Sequence, residues 1–334
     1  MEIKHICSAF PKKKLTNEDL GKIFSSYNYQ EFEEKIGISC RYISDVNETS
    51  ISLGIEAAKK LISNYRINPN EIDYLIFCSQ THDYKLPQSS TIIQDRLQLR
   101  KECGTLDINH GCSGYIYGLE IAKSLMHTNN NYKKLLLITA DTYTKFINEK
   151  DRALRNIFGD GATATLITNE DKFNGIKNFS MGTDGSGAED LIIRNGGSKT
   201  MSETNPEIKN YGTENYYTDN DIYMNGPKIF NFTIKNIPGL VDKCLEENNL
   251  DKNDIDYFIF HQANKFMLET LRKLCKIPKE KFRLEMKNTG NTVSSTIPIV
   301  LESLLGEEKP KFKAMLVGFG VGLSFGATII EINK

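Results

Sequence analysis

Short runs of five or six consecutive apolar residues alternate along this chain with longer segments in which apolar residues recur every three or four positions. The runs predict buried strands, and the segments predict amphipathic helices. Because the runs are continuously apolar, the pattern favours an α/β fold with a mainly parallel sheet covered on both faces. Predicted strands cover 1–10, 72–79, 104–108, 135–140, 255–260 and 314–318, and predicted helices cover 16–26, 49–64, 89–97, 226–248, 264–275 and 291–305.

The same sequence of elements occurs twice. Residues 72–77 are Ile-Asp-Tyr-Leu-Ile-Phe, and residues 255–260 are Ile-Asp-Tyr-Phe-Ile-Phe. A glycine-containing helix start follows each run, about 34 residues after Cys78 and about 30 residues after His261. Each half then closes with Gly-Ala-Thr, at 161–163 and at 326–328, leading into another predicted apolar strand. Such self-similarity predicts a tandem duplication with a period near 180 residues.

The two halves are predicted to span 1–172 and 173–334 and to share one continuous core, since no flexible linker separates them. Residues 184–222 break the pattern and are rich in Gly, Asn, Thr and Tyr. We expect this segment to be a long insertion or surface loop that helps to cover a substrate.

Composition excludes several classes of function. The 334 residues carry a net charge of −1 and no long basic run, which argues against a nucleic-acid partner. No apolar stretch reaches the roughly 18 residues needed to cross a membrane, and the sequence predicts no signal peptide. The seven cysteines include no Cys-x-x-Cys pair, and the histidines lack metal-ligand spacing, so neither disulfides nor a metal site is expected. A cytoplasmic location is the simplest expectation.

Cys112 is the first candidate for chemistry. It lies in Gly111-Cys112-Ser113-Gly114, between the predicted strand 104–108 and an apolar helix. The positive end of a helix favours negative charge and is expected to lower the pKa of a thiol. The glycines would let a substrate approach closely. Taken alone, a buried cysteine in an apolar helix is more often inert packing.

His261 and Asn291 are the second and third candidates. His261 ends the predicted strand 255–260, and Asn291 begins the predicted helix 291–305. Each has an ordinary structural explanation, as a polar group at a strand end or as a turn or cap residue. However, Cys112, His261 and Asn291 occupy matching strand ends and helix starts in the two halves. A pseudo-two-fold axis would bring them together at one site.

A glycine-rich run at 318–322 follows another predicted strand. It lacks the G-x-G-x-x-G spacing and the following helix of a dinucleotide-binding loop, so dinucleotide binding is not expected. A backbone amide donated by this bend to an oxyanion fits better. Asp160, in Phe158-Gly159-Asp160-Gly161, is interpreted as a turn residue rather than a catalytic one.

Taken together, these motifs resemble the β-ketoacyl-acyl-carrier-protein synthase III family of the thiolase superfamily. The resemblance extends nearly end to end, with further markers at 47–49 and 158–162. It implies a five-layered α-β-α-β-α fold, a homodimer, and a ping-pong condensation that uses no metal or organic cofactor. The motifs that carry it are Asp-Ile-Asn-His-Gly-Cys-Ser-Gly at 107–114, His-Gln-Ala-Asn at 261–264, Gly-Asn-Thr at 290–292 and Gly-Phe-Gly-Val-Gly at 318–322.

The resemblance also implies a role for each candidate. Cys112 would be the nucleophile that accepts an acyl group from acyl-CoA. His261 and Asn291 would bind the thioester carbonyl of malonyl-acyl carrier protein and stabilise the enolate formed as carbon dioxide leaves. The backbone amides of Cys112 and Val321 would form the oxyanion hole of the acyl-transfer step.

Further roles follow from the same alignment. Phe32 and Lys35 stand where members of the family often carry Trp and Arg for CoA, and Arg152 matches a CoA-binding arginine. Leu86, in the loop 83–87, is expected to form a wall of the acyl pocket of a partner subunit.

The chain also departs from the family pattern. Phe266 replaces an arginine, which leaves the neighbouring Lys265 as the expected contact for the carrier protein. Phe325 replaces a Trp, and Val321 replaces a glycine. These departures favour a specialised branch that makes a keto acid for a secondary metabolite or a surface glycan, rather than the housekeeping initiator of fatty-acid synthesis.

Three alternatives stay open at this point. The first is acyl transfer from Cys112 to an alcohol or amine without decarboxylation. The second is a condensation of the hydroxymethylglutaryl-CoA synthase type, which needs an additional carboxylate and has only Asp83 available. The third is a non-catalytic partner subunit, which the intact Cys112, His261 and Asn291 disfavour.

Overall fold

The computed structural model describes residues 1–25, 28–169, 173–306 and 311–333. The predicted boundary between the two halves falls at residue 172, which lies outside the described residues.

Strands and helices alternate along most of the described chain. The strands are β1 (Glu2–Ala9), β2 (Lys13–Thr16), β3 (Cys40–Ile43), β4 (Tyr74–Cys78), β5 (Gly104–Ile108), β6 (Lys134–Asp141), β7 (Gly161–Thr168), β8 (Ile176–Thr183), β9 (Leu191–Ile192), β10 (Lys209–Gly212), β11 (Asn215–Tyr217), β12 (Tyr223–Met224), β13 (Tyr257–Phe260), β14 (Lys311–Gly320) and β15 (Ser324–Asn333). The α-helices are α1 (Asn17–Ile23), α2 (Tyr29–Ile36), α3 (Ser50–Asn64), α4 (Ser89–Arg96), α5 (Gly114–Thr128), α6 (Arg152–Arg155), α7 (Gly226–Glu247), α8 (Lys265–Leu274) and α9 (Thr296–Leu305).

Two sheets form the framework. The first has the strand order β1-β7-β6-β4-β5, and the second has the order β13-β14-β15-β8. In the first, β4 runs parallel to β6, while β6, β7 and β1 are successively antiparallel. In the second, β13 runs parallel to β14, while β14, β15 and β8 are successively antiparallel. The matching directions agree with the predicted duplication.

The prediction of mainly parallel sheets is wrong, because both sheets are mixed. The apolar runs reflect burial on both faces of each sheet, and flanking helices provide that burial whatever the strand direction.

Helices cover both sheets and separate them. Both α5 and α9 contact strands of the two sheets and therefore form the central layer. On the outer faces, α3 and α4 pack on the first sheet, and α7 packs on the second with α8 beside it. This is the five-layered α-β-α-β-α arrangement predicted from the resemblance.

One hydrophobic cluster extends across the central layer from sheet to sheet. It contains Tyr115 and Leu119 of α5 and Leu301 of α9, together with Ile76 of β4 and Leu316 of β14. Side chains from both halves of the chain therefore pack together in this cluster. Within the described ranges, no helix is long and apolar enough to cross a membrane.

Two predicted segments differ in detail. Residues 291–305 do not form one helix, because a 3₁₀ turn at Val293–Ser295 precedes α9. The segment 184–222 is ordered rather than a plain loop, and it contributes β9 to β11. Leu191 of β9 is buried and faces the cavities described below. The sequence analysis missed the helices α2 and α6 and the strands β2, β3 and β8.

Candidate active site

Cys112 lies in the tight turn between β5 and α5. The backbone of Gly320, at the end of β14, passes so close that a Cβ at Gly320 would lie 2.8 Å from Cys112 Cβ. A Cβ at Gly114 would collide with the sulfur of Cys78. Only glycine at these two positions lets the turn approach both strands, and this approach fixes the Cys112 side chain.

Two sets of effects act in opposite directions on the pKa of the Cys112 thiol. The backbone amides of Cys112 and Val321 favour the thiolate, whereas burial and the negative charge of Asp141 disfavour it. Burial dominates and raises the pKa of Cys112 to about 12. The expectation of a lowered pKa is therefore wrong. The helix begins only at Gly114, so Cys112 precedes its first turn, and the buried thiol has lost its contact with water.

His261 follows β13, and its backbone amide donates to the carbonyl of Val317 at 2.8 Å. Its Nδ1 lies 2.7 Å from Oγ1 of Thr296, and its Nε2 lies 3.4 Å from Nδ2 of Asn291. Burial lowers the pKa of His261 to about 3, so the imidazole is neutral at physiological pH.

The Thr296 hydroxyl can settle which nitrogen of His261 carries the proton. Thr296 Oγ1 also lies 3.1 Å from the carbonyl oxygen of Val293, to which it donates. In that arrangement Nδ1–H donates to Oγ1, and Nε2 accepts from the amide of Asn291. If the hydroxyl turns to donate to Nδ1, the proton belongs on Nε2.

Asn291 is held by backbone contacts from both halves of the chain. Its backbone amide donates to the carbonyl of Ile157 at 2.9 Å, and its backbone carbonyl accepts from the backbone amide of Gly159 at 3.0 Å. Asn291 Oδ1 accepts from the amide of Val293 at 2.9 Å, which turns Nδ2 towards His261. Gly290, with φ of +68°, supplies the left-handed turn that makes this geometry possible.

A largely apolar cavity of about 360 Å³ joins these groups. Cys112, His261 and Asn291 all line it, together with Phe319 and Gly320. The structure thus brings the three predicted residues to one cavity, and a substrate there would meet a thiol, an imidazole and a primary amide.

The three residues expected to bind CoA also lie together. Phe32, Lys35 and Arg152 line a second cavity of about 360 Å³. Arg152 lies 3.7 Å from Glu214 in an ion pair. Ile157 lines both this cavity and the one that contains Cys112, so the two are neighbours.

Lys265 and Leu86 lie outside the catalytic cavity. Lys265 is exposed at the start of α8, and its Nζ donates to the carbonyl of Glu34 at 3.0 Å. The neighbouring Phe266 is half-exposed and stacks on Phe230 at 5.6 Å between ring centroids. Leu86 is 82% exposed in the single chain.

The two aspartates considered from the sequence both support backbone. Asp83 Oδ1 accepts from the backbone amide of Ile51 at 3.4 Å and from the hydroxyl of Ser50 at 3.3 Å, at the start of α3. Asp83 is absent from the cavity lining. Asp160 is fully buried and accepts from the backbone amides of Ser44 and Thr144. These contacts match the structural interpretation of Asp160 and leave Asp83 badly placed as a catalytic acid.

Sequence reasoning missed four residues around the site: Gln80, Tyr143, Asp141 and Thr296. Asp141 is buried and accepts from Ser294 Oγ, and burial raises its pKa to about 7. Its place directly after the apolar run 135–140 could have marked it as a candidate site residue. No sequence signal marks Thr296, because its contact with His261 spans 35 positions of the chain.

No group of three or more His, Cys, Asp or Glu side chains in the described parts of the chain could hold a metal ion. All seven cysteines are unpaired.

Comparison with known proteins gives independent evidence on the family of this chain. Residues 106–185 match the family model described as 3-oxoacyl-[acyl-carrier-protein (ACP)] synthase III, and residues 245–332 match the model of its C-terminal part. The β-ketoacyl-[acyl-carrier-protein] synthase III of Clostridium perfringens is 35% identical over 324 residues, 96% of each chain. That of Clostridium acetobutylicum is 32% identical and covers 100% of this chain and 99% of its own.

Solved structures agree. A crystal structure of a 3-oxoacyl-(acyl-carrier-protein) synthase III superimposes with a TM-score of 0.95 at 38% identity and covers 98% of each chain. The Thermus thermophilus β-ketoacyl synthase III superimposes with a TM-score of 0.86 at 25% identity, covering 99% of this chain and 98% of its own.

Proposed function

This chain belongs to the 3-oxoacyl-[acyl-carrier-protein] synthase III family, and we propose that it condenses an acyl-CoA starter with malonyl-acyl carrier protein. The products are carbon dioxide, free CoA and a 3-oxoacyl-acyl carrier protein. The observation that carries this proposal is the meeting of Cys112, His261 and Asn291 on one apolar cavity. The two halves of the chain supply different members of this set.

In the first half-reaction, Cys112 takes the acyl group from CoA. The sulfur attacks the thioester carbonyl, the bond between the acyl carbon and the CoA sulfur breaks, and CoA leaves as a thiol. The amides of Cys112 and Val321 already point at the Cys112 sulfur and would stabilise the oxyanion beside it.

The proton of this step must move, because the pKa of Cys112 is about 12 and the resting side chain is a thiol. The neutral imidazole of His261 lines the same cavity and is the base available to carry the proton from Cys112 to the departing CoA sulfur.

In the second half-reaction, malonyl thioester loses carbon dioxide. The electron pair of the broken carbon–carbon bond forms an enolate, whose carbon attacks the acyl group on Cys112. The bond between the acyl carbon and the sulfur then breaks, and Cys112 leaves as a thiolate, which takes up a proton from solvent to restore the resting thiol. Asn291 Nδ2 and a proton on His261 Nε2 would both donate to the enolate oxygen. Their mutual distance of 3.4 Å suits donors that converge on one oxygen.

The wider assignment follows from the same family membership. Phe32, Lys35 and Arg152 would hold the nucleotide of CoA, and their common cavity beside the catalytic one supports this. Lys265, exposed on α8, would contact the carrier protein. We further propose a cytoplasmic homodimer in which Leu86 reaches the acyl pocket of the partner. The condensation itself requires neither metal nor organic cofactor.

Separating the half-reactions tests the roles. Asn291→Ala should still accumulate acyl-enzyme from radioactive acyl-CoA, yet release carbon dioxide about 100- to 1000-fold more slowly from carboxyl-labelled malonyl-acyl carrier protein. Cys112→Ala should lose acylation and keep some decarboxylation. His261→Ala should impair both steps.

The opposite pattern, with Asn291→Ala defective in acylation but normal in decarboxylation, would overturn these roles. Wild-type protein that forms acyl-enzyme and never releases carbon dioxide would instead point to transfer of the acyl group to an alcohol or amine.

A further inference from the structure

A smaller cavity lies beside the turn that carries Cys112, because Gln80 and Val321, which line it, lie against Gly111. Its volume is about 200 Å³. Val321, whose amide points at the Cys112 sulfur, lines it, and Leu191 separates it from the larger cavity and lines both. Its size equals the liquid volume of about six or seven water molecules, which is room for an acyl chain of only a few carbons.

One wall of this cavity is polar. The hydroxyl of Tyr143 donates to Oε1 of Gln80, and both residues line the cavity. Gln80 Oε1 lies against Gly111, close enough that a Cβ there would collide with it. Gly111 immediately precedes Cys112, so this polar wall stands next to the nucleophile.

The pair is rigidly placed. Tyr143 is buried and packs against Phe158, with 5.3 Å between ring centroids. The backbone amide of Gln80 donates to Oδ1 of the buried Asp141 at 2.8 Å. The Gln80 side chain is therefore held at both ends, by its own backbone and by the Tyr143 hydroxyl.

Among the described residues, this arrangement leaves the side-chain nitrogen of Gln80, Nε2, without an acceptor. Tyr143 occupies Oε1 of Gln80, and across the residues that the structure describes no group accepts from Nε2. The rest of the wall consists of Thr81 and Asn109 and of five apolar residues, Leu191, Ile192, Ile193, Ile222 and Val321. Primary amides in such cavities are typically the groups that orient and select a ligand.

We propose that this cavity receives the acyl chain on Cys112 and selects a short starter that carries a hydroxyl or carbonyl oxygen near the thioester. That oxygen accepts from Gln80 Nε2. The inference rests on the proposed function and deepens it by naming the starter class. A purely alkyl starter of the same length would displace water from Nε2 and leave the donor unpaired, which costs about 10- to 100-fold in affinity.

The test compares two probes of equal chain length, butyryl-CoA and 3-hydroxybutyryl-CoA. Acylation of Cys112 is followed by intact mass spectrometry, and kcat/KM is obtained for each. Wild-type protein should favour 3-hydroxybutyryl-CoA by about tenfold or more. Gln80→Leu, which keeps the size of the side chain but removes its amide, should abolish or reverse this preference.

Two further variants separate polarity from volume. Tyr143→Phe removes the hydroxyl that fixes Gln80 and should reduce the preference. Ile222→Val changes the volume of the same cavity without changing its polarity, so it should alter both rates by a similar factor and leave their ratio intact.

Equal rates for the two probes in wild-type protein, or an unchanged ratio in Gln80→Leu, would overturn the inference while leaving the condensing activity in place. Failure of Cys112 to accept these probes or acetyl-CoA would overturn the proposed function first, and this inference with it.

Discussion

Thr296 shows how one side chain behind the site can control both half-reactions. In the proposed mechanism, His261 accepts a proton from Cys112 in the first step and donates a hydrogen bond to the enolate in the second. The Thr296 hydroxyl lies 2.7 Å from Nδ1 of His261 and 3.1 Å from the Val293 carbonyl, and it can donate to either. A rotation of this hydroxyl therefore accompanies each change of tautomer.

Thr296→Val should preserve the shape of this pocket and remove the hydroxyl. We expect Nδ1–H to remain the favoured form, since the backbone carbonyl of Val293 can still accept from the imidazole. Decarboxylation of malonyl thioester should fall by about 10- to 100-fold, because Nε2 then lacks the proton that it must donate. Acylation of Cys112 should fall less.

Thr296→Ser is the matched control and should restore decarboxylation. The ¹⁵N chemical shifts of His261 report the tautomer directly and should differ between Thr296→Val and wild type. If Thr296→Val slows both half-reactions equally and leaves the ¹⁵N chemical shifts of His261 unchanged, Thr296 contributes only packing.

The buried thiol of Cys112 predicts a distinctive pH dependence. With its pKa at about 12, the thiolate fraction should rise about tenfold for each pH unit between 7 and 10. The rate of Cys112 alkylation by iodoacetamide should follow this rise, with Cys112→Ser identifying the labelled peptide. A rate that reaches its plateau below pH 8 would demonstrate a lowered pKa instead.

At the level of elements, the site depends on two interlocked loops. Residues 157–159 and 290–291 exchange backbone hydrogen bonds in both directions. A Cβ at Gly159 would collide with the carbonyl oxygen of Thr289, a backbone atom that cannot move alone. The position of Asn291 is thus set by a contact between the two halves.

Gly159→Ala should push the 288–291 turn away and lower decarboxylation by at least tenfold, because donor geometry within about 0.5 Å decides activity. The free energy of unfolding should also fall. Gly239→Ala is the matched control: Gly239 is exposed in α7 with open space around it, so alanine should raise stability by about 0.5–1 kcal/mol. Thermal unfolding measures the change in stability, and the carbon dioxide assay measures the change in activity. Normal activity in Gly159→Ala would show that the contact between these two loops does not set the position of Asn291.

For the whole molecule, the exposed loop 83–87 suggests that one chain is not the complete enzyme. Leu86 is 82% exposed, and Tyr84 is 60% exposed. Apolar side chains grouped at an exposed loop commonly mark an interface.

We expect a dimer in sedimentation experiments, and Leu86→Ala should shift preference towards longer or branched acyl-CoAs by enlarging the pocket of the partner. Lys85→Ala in the same loop changes charge instead of apolar volume and serves as the control. A monomeric wild-type protein, or an unchanged acyl profile in Leu86→Ala, would contradict the expected arrangement.

Local signals in the sequence determined a large part of this protein. Apolar runs and amphipathic periodicity placed most of the long elements, because burial on one face or both imposes a period on the chain. The repeated order of elements then placed Cys112, His261 and Asn291 at equivalent positions. The resemblance to a known family supplied their expected roles.

Only the tertiary structure decided the rest. The pKa of Cys112 depends on desolvation by groups distant in sequence, and this outweighs the local helix terminus that the sequence displayed. Likewise, Gln80 meets Tyr143 across 63 positions, and His261 meets Thr296 across 35. Such contacts arise from packing two sheets around a shared layer of helices, and they leave no period or spacing in the chain.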